Sequence, residues 1–377
     1  MSRPLVALDI GSTKVACAVG LPHERSAGFE LLGTSLVPYP TISDTWLADA
    51  AVVGRTIEQA LAATGVHESI DQALVTMNHP LLTSERVRVV VPLGDEPMII
   101  RAKDLDRLQR RALDHMLSVD REPLLVERLS CAGNGFEGVR DPRGLTATRL
   151  AGTFHIATIP LAARQTVVQA VESAGLQVSR LAYSLVAGLA GASDEAASRQ
   201  RLLLVDVGGL TSDVGLMTDG MLQVLRIVPW GGQTLATAIA RDIHGTMDQG
   251  VTWSLEGPAC RKSEVGPIIE RHWALLQQAI EHVLEEQPRP ERVFISGRGA
   301  LSDGFMEWIE RVTGAPVVLC RSPRTSSLTD LSQKIGLSAA IGLLEMTTRS
   351  AEQEAQRSPH LLNRLIHHTR TILREYF

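Results

Sequence analysis

Residues 4–20, PLVALDIGSTKVACAVG, place a short polar turn between two apolar runs, a pattern that predicts strand, tight turn and strand. The arrangement returns at 201–220, RLLLVDVGGLTSDVGLMTDG, where Asp206 matches Asp9 and Gly208 matches Gly11, 197 positions later. Between the copies, a Pro- and Gly-rich loop precedes helical spacing at 46–64, a strand at 71–77 and strict alternation at 84–92 (SERVRVVVP). An amphipathic helix follows at 102–117, then three strand-like stretches near 123–129, 144–150 and 152–158. A helix at 160–175 ends on Gly175, a residue suited to a left-handed C-terminal position, and another covers about 183–196. Beyond the second copy, the pattern predicts a long helix near 267–286, a strand at 292–296 and a glycine turn, SGRGALSDG, at 296–304. The polar residues at about 347–358 read as a linker.

The final stretch, HLLNRLIHHTRTILREYF at 360–377, divides cleanly on a helical wheel. Leu361, Leu362, Leu365, Ile366, Ile372, Leu373, Tyr376 and Phe377 occupy one half, and Arg364, Arg370 and Arg374 lie in the other. Such a stripe is buried against the protein's own core, a partner's groove or a membrane interface.

A chain of 377 residues exceeds one ordinary core, so two or three lobes and a cleft are expected. With 37 basic and 42 acidic side chains, a net charge of −5, the balance argues against nucleic acid as a partner. Cys17, Cys131, Cys260 and Cys320 show no metal-ligand or disulfide spacing, which favours a reducing compartment. The N-terminal residues carry no secretory-signal pattern, and no run is long and apolar enough to span a bilayer.

A hairpin turning on Asp-x-Gly offers a phosphate close backbone N–H groups and a hydroxyl donor, which marks Gly11, Ser12, Thr13, Gly208, Gly209 and Thr211. Asp9 and Asp206, on facing lobes, could hold Mg²⁺ through one or two carboxylates, and Lys14 could neutralise phosphate charge. Gly297 and Gly299, after the 292–296 strand, would let backbone pass close to a base and ribose. No GxxxxGK[ST] loop, no GxGxxG opening a helix and no triad spacing for a nucleophilic hydrolase is present.

LDIGSTKV and VDVGGLTSDVG resemble the two phosphate motifs of the actin, Hsp70 and sugar-kinase superfamily, and VFISGRGALSDG resembles its adenosine motif. Within it, residues 124–158, with Asp141, Pro142, Gly144 and Leu145 in place of an NPxGL turn, are similar to the FtsA cell-division family. VVQAVESAGLQV, LSAAIGLL at 337–344 and the tail NRLIHHTRTILREYF carry the likeness further. The resemblance implies an α/β, two-lobed actin-like ATPase fold with an FtsA-type inserted subdomain, and ATP with Mg²⁺ in the cleft. Its implied layout is subdomain 1A at 1–82, the insertion 1C at 83–158, 1A again at 159–198, 2A at 199–243, a reduced 2B at 244–266, 2A at 267–333 and a return to 1A at 334–346. A flexible linker at 347–359 and a membrane-targeting amphipathic helix at 360–377 complete it. For partners, the resemblance implies the C-terminal peptide of FtsZ, self-assembly into filaments, cytoplasmic-membrane lipids and later division proteins, at the division site.

The sequence departs from that pattern in places. Leu210 replaces a glycine of the second phosphate motif, and Arg298 replaces the second glycine of the adenosine turn, where it would crowd or stack on the nucleoside. A gapless match puts Gly250 and Trp253 where the family brings Glu and Lys to the ribose and base. The 2B segment is about twenty residues shorter than the family's, which reduces the expected FtsZ-docking surface. Weak or absent ATP hydrolysis follows as the expectation. The alternatives are a PilM-like pilus-assembly homologue or a sugar-kinase-type phosphotransferase.

Overall fold

The computed structural model describes residues 3–357 except 25, 27, 41–45, 48, 69, 193–199, 261 and 286; of 351–357 it describes only the backbone. The N-terminal apolar runs form β1 (Leu5–Ile10) and β2 (Lys14–Pro22), followed by β3 (Phe29–Pro38), α1 (Ala50–Ala63) and β4 (Gln72–Met77). Strands β1 and β2 are apolar on nearly every residue because both of their faces are covered. The sequence pattern assigned 29–38 to a loop; the alternation there is broken by Gly33, and pairing with β2 makes it an edge strand.

The chain then leaves this lobe for an insertion comprising β5 (Thr83–Pro92), β6 (Met98–Ile99), α2 (Ala102–Met116), β7 (Arg121–Gly133), β8 (Phe136–Val139), β9 (Thr146–Ala147) and β10 (Arg149–Pro160). Alternation in β5 turns Val87, Val89 and Val91 inward, where they meet Leu105, Leu108 and Ala112 on the apolar stripe of α2. With Phe154 and Ile156 of β10 they form a core separate from those of the lobes.

The first lobe resumes with α3 (Leu161–Ser173), β11 (Gln177–Tyr183) and α4 (Ser184–Ala192). Its sheet runs β11-β4-β1-β2-β3, with β1 parallel to β4 and antiparallel to β2. The second lobe contains β12 (Arg201–Val207), β13 (Ser212–Thr218), β14 (Met221–Val228), α5 (Gly232–Asp242), α6 (Met247–Leu255), α7 (Val265–Leu284), β15 (Arg292–Ser296), α8 (Phe305–Thr313) and β16 (Val317–Leu319). Its sheet runs β14-β13-β12-β15-β16 with the same alternation of directions. The repeat visible in sequence is therefore a repeat of topology, with β1 and β12 at the centre of matching sheets.

Helices α9 (Leu331–Gly336) and α10 (Ser338–Arg357) return to the first lobe, where α10 packs on α4, β1 and β2. The expected linker at 347–359 is corrected through residue 357: the backbone stays helical to Arg357. Its Glu, Gln and Arg residues are polar, but together with Ala they are strong helix formers, and they prolong a helix already nucleated by packing. Between α5 and α7 the only element among the described residues is α6, with no strand.

The insertion also reaches the second lobe. Arg86 Nη2 donates to Gln223 Oε1 at 3.1 Å, Ser84 Oγ donates to the Leu225 carbonyl at 3.3 Å, and Arg140 Nη2 donates to the Asp219 carbonyl at 2.6 Å. The Leu222 N–H donates to Glu127. These contacts fasten the insertion to edge strand β14 and cover an edge otherwise open to pairing.

Candidate functional site

The two hairpin turns meet between the lobes. In the first, Gly11 N–H donates to the Lys14 carbonyl at 3.0 Å; in the second, Gly208 N–H donates to the Thr211 carbonyl at 2.9 Å. The preceding carboxylates are held alike. Thr76 Oγ1 donates to Asp9 Oδ1 at 2.9 Å, and Ser296 Oγ donates to Asp206 Oδ1 at 2.6 Å. Thr76 and Ser296 are the parallel-strand register partners of Asp9 and Asp206, so strand pairing itself brings each hydroxyl to its acid. Neither hydroxyl was evident from the sequence, because the pairing joins residues 67 and 90 positions apart.

The turns also touch. A Cβ on Gly209 would lie 2.5 Å from Ser12 Oγ and 2.6 Å from Thr13 Cγ2, so only glycine permits this approach. Gly297 adopts φ +80° against the Val207 backbone, a conformation and a clearance that a side chain would spoil. Around these turns lies a cavity of about 600 Å³, within the usual range for small-molecule sites. Asp9, Gly11, Ser12, Thr13, Lys14, Asp206, Gly208, Gly209, Thr211, Gly297 and Gly299 all line it.

Charge in the cleft is finely opposed. Lys14 is buried, pairs with Asp9 and donates to the Gly336 carbonyl at 3.0 Å. Burial raises the Asp206 pKa, the Asp9 charge adds to that, and the Ser296 hydrogen bond and Lys14 oppose it. Asp213, opposite Asp206 on β13, is fully buried and pushed up to about 7 by burial first and Asp206 second. The Tyr183 hydroxyl crosses from the first lobe to donate to Asp213 Oδ2 at 2.5 Å, while Asp213 Oδ1 has no partner among the described residues. The sequence reading passed over Asp213, although an acid seven residues after Asp206 in an apolar strand was a usable signal.

This donor set fits Mg²⁺ held with a phosphate. Two carboxylates line the cavity beside the phosphate turns, Asp9 and Asp206, and each keeps oxygen lone pairs beyond its single hydroxyl hydrogen bond. Among the described residues no three His, Cys, Asp or Glu side chains form a metal cage. Mg²⁺ does not require one, since it retains waters and takes one or two carboxylates beside phosphate oxygens. Asp9 and Asp206 are the residues that would hold it, supplying charge neutralisation.

On the side expected to receive base and ribose, neither Gly250 nor Trp253 lines the cavity. Gly250 faces α5, where a Cβ would collide with the Ala236 carbonyl, and the Trp253 ring lies 4.4 Å from the Lys262 ammonium. The α6 residues lining the cavity are Met247, Val251, Ser254 and Leu255. Arg298 lines the same cavity, and its Nη2 donates to Thr13 Oγ1 at 3.3 Å, so the guanidinium reaches the phosphate turn of the other lobe. Leu210 lines the cavity beside that turn. The tail residues Leu361, Leu362, Arg364, Leu365, Ile366, Arg370, Ile372, Leu373, Arg374, Tyr376 and Phe377 lie outside the described residues. Among those described, no helix is long and apolar enough to cross a membrane.

Comparison with known proteins agrees with this architecture. Residues 81–158 match the family described as "SHS2 domain inserted in FTSA". The cell-division protein FtsA of Escherichia coli K12 is 23% identical over 90% of this chain and 89% of its own length. FtsA of Streptococcus pneumoniae is 21% identical over 93% and 84%, respectively. Among solved structures, a PilM–PilN type IV pilus biogenesis complex superposes with a TM-score of 0.66 at 15% identity, covering 91% of this chain and 98% of that one. MreB5 of Spiroplasma citri bound to AMPPNP gives 0.50 at 12% identity, with 95% and 99% covered. These structural likenesses establish the actin-like ATPase fold. Similarity to FtsA cell-division proteins thus runs over nine-tenths of the chain, and its insertion at 81–158 is of the kind found in that family.

Proposed function

We propose that this chain is a cell-division protein that binds ATP with Mg²⁺ between its lobes, hydrolyses it slowly or not at all, and attaches filaments to the cytoplasmic face of the cell membrane. The observation carrying the nucleotide reading is the convergence of both Asp-x-Gly turns and the Gly297 turn on one cavity. Slow hydrolysis is supported by Leu210 in the second turn and by Arg298 reaching across the cleft. Attachment is supported by the half-apolar, half-basic pattern of 360–377. A helix of that kind sinks about 5–10 Å into the interface, and each basic side chain near anionic lipid contributes about 1 kcal/mol. Single anchors of this size bind weakly, so self-assembly into filaments would strengthen attachment through avidity. FtsZ and later division proteins are the proposed partners, with FtsZ contact weakened by the short 244–266 segment, which has no strand among its described residues.

The test is sedimentation with anionic liposomes of the full chain beside a version ending at Pro359, with and without Mg·ATP and an FtsZ tail peptide. Selective pelleting of the full chain supports attachment, and equal pelleting of the two removes it. A second reading, an actin homologue serving pilus assembly, is favoured by the likeness to the PilM–PilN complex. It requires no membrane-seeking tail, so the same experiment separates the two.

A further inference from the structure

The cleft is lined both by the polar phosphate turns and by an apolar face of α6. Met247, Val251 and Leu255 fall at i, i+4 and i+8 of α6 and form a strip along the cavity wall, with Val251 41% and Leu255 44% exposed. Exposed apolar side chains at that spacing, inside a cavity, mark a surface awaiting an apolar ring or chain. Ser254, the polar neighbour on this helix, spends its hydroxyl on the Val251 carbonyl at 2.7 Å. The α6 side chains thus offer a flat ring contact area and little to read the hydrogen-bonding edge of a base.

At the first phosphate turn, two basic side chains meet. Lys14 Nζ lies at the first turn, and Arg298, anchored in the second lobe, brings its guanidinium 3.3 Å from Thr13 Oγ1. Arginine's planar fork suits phosphate oxygens, and its placement beside a phosphate-turn hydroxyl gives it a role there that a base-side location would not.

We propose that the cleft selects its ligand by the polyphosphate and not by the base, with Arg298 as an additional phosphate-binding residue and the α6 strip accepting either purine through apolar contact. The inference rests on the nucleotide reading above. A site that hydrogen-bonds its ligand rejects analogues by roughly 10⁴-fold or more, whereas apolar shape selection reaches about 10- to 200-fold for a size difference. Adenine and guanine are nearly the same size, so their affinities should fall within about tenfold of each other.

Isothermal titration calorimetry of the full chain with Mg·ATP, Mg·GTP and Mg·triphosphate provides the test, repeated on Arg298→Ala and Arg298→Lys with folding checked by circular dichroism. Support consists of ATP and GTP binding within tenfold, detectable triphosphate binding, and a loss of about 10- to 100-fold for all three ligands in Arg298→Ala, partly restored by Arg298→Lys. A preference of more than tenfold for one purine, or unchanged or tighter binding by Arg298→Ala, overturns the proposal while leaving the nucleotide reading intact. Absence of binding by all three ligands overturns the nucleotide reading itself.

Discussion

The joint between the insertion and the second lobe contains a buried histidine and a half-buried glutamate whose effects on stability run in opposite directions. Arg86, His155 and Glu127 form a row across β5, β10 and β7, and Glu127 accepts the Leu222 N–H of β14. Burial pushes Glu127 from its ordinary 4.5 up to about 7, against the opposing pull of the Leu222 N–H and Arg140. Burial, with the Arg86 charge adding, lowers His155 from 6.5 to about 4. His155 is 2% exposed and neither ring nitrogen has a hydrogen-bond partner among the described residues. The signs follow from proton linkage. Between about pH 4.5 and 7 the unfolded chain gives up the Glu127 proton that the folded chain keeps, so the Glu127 contribution is full at acid pH and is lost as pH rises. Between about pH 6.5 and 4 the unfolded chain gains the His155 proton that the folded chain refuses, so stability is lost as pH falls. At about 1.36 kcal/mol per pH unit each effect reaches at most about 3 kcal/mol, less for Glu127 because part of its surface remains in water. In the wild type the two nearly cancel. Glu127→Gln, which keeps an acceptor for Leu222, should therefore gain stability relative to wild type as pH rises from about 4.5 to 7 and hold a constant difference above that. His155→Leu should show its greatest relative gain at low pH. Urea denaturation followed by tryptophan fluorescence, at half-unit pH steps from 4.5 to 8, reads both differences. A Glu127→Gln difference that stays flat to within 0.5 kcal/mol across that range would refute the reasoning.

Gly342→Ala should lower Tm despite alanine's better helix propensity of up to about 1 kcal/mol, because the new Cβ would enter the Ala187 carbonyl where α4 crosses α10; overpacking of this kind costs about 1–3 kcal/mol, and thermal melts would check it. Asp9→Asn and Asp206→Asn should each weaken Mg²⁺-dependent nucleotide binding by at least tenfold while leaving Mg²⁺-independent binding less affected, as titrations with and without EDTA would reveal. Tyr183→Phe leaves the buried Asp213 without its cross-lobe donor and should destabilise the chain by about 1–3 kcal/mol, more at pH 8 than at pH 6 because Asp213, at about 7, is then ionised; denaturation at the two pH values tests this.

Much of the site was legible in the sequence because its parts are local. An apolar strand ending in Asp-x-Gly carries its own turn, and a second copy at 206 supplied the facing half, so the pattern marked Asp9, Gly11, Ser12, Thr13, Lys14, Asp206, Gly208, Gly209 and Thr211, all of which line the cavity. The strand and helix that open the insertion were legible because alternating β5 and amphipathic α2 bury one face each, whereas the insertion as a unit was implied by resemblance. What tertiary structure decided was direction and partnership. The base-side face of α6 depended on which side met α5, and close packing of Gly250 on Ala236 turned Met247, Val251 and Leu255 toward the cleft. The reach of Arg298 to Thr13, the pairing of Thr76 and Ser296 with the two acids, and the bond from Tyr183 to Asp213 all join residues far apart in the chain. Local periodicity says which side chains must be hidden or wetted, but a contact between distant segments exists only once sheets and helices have been assembled, since its energy comes from the packing that brings them together.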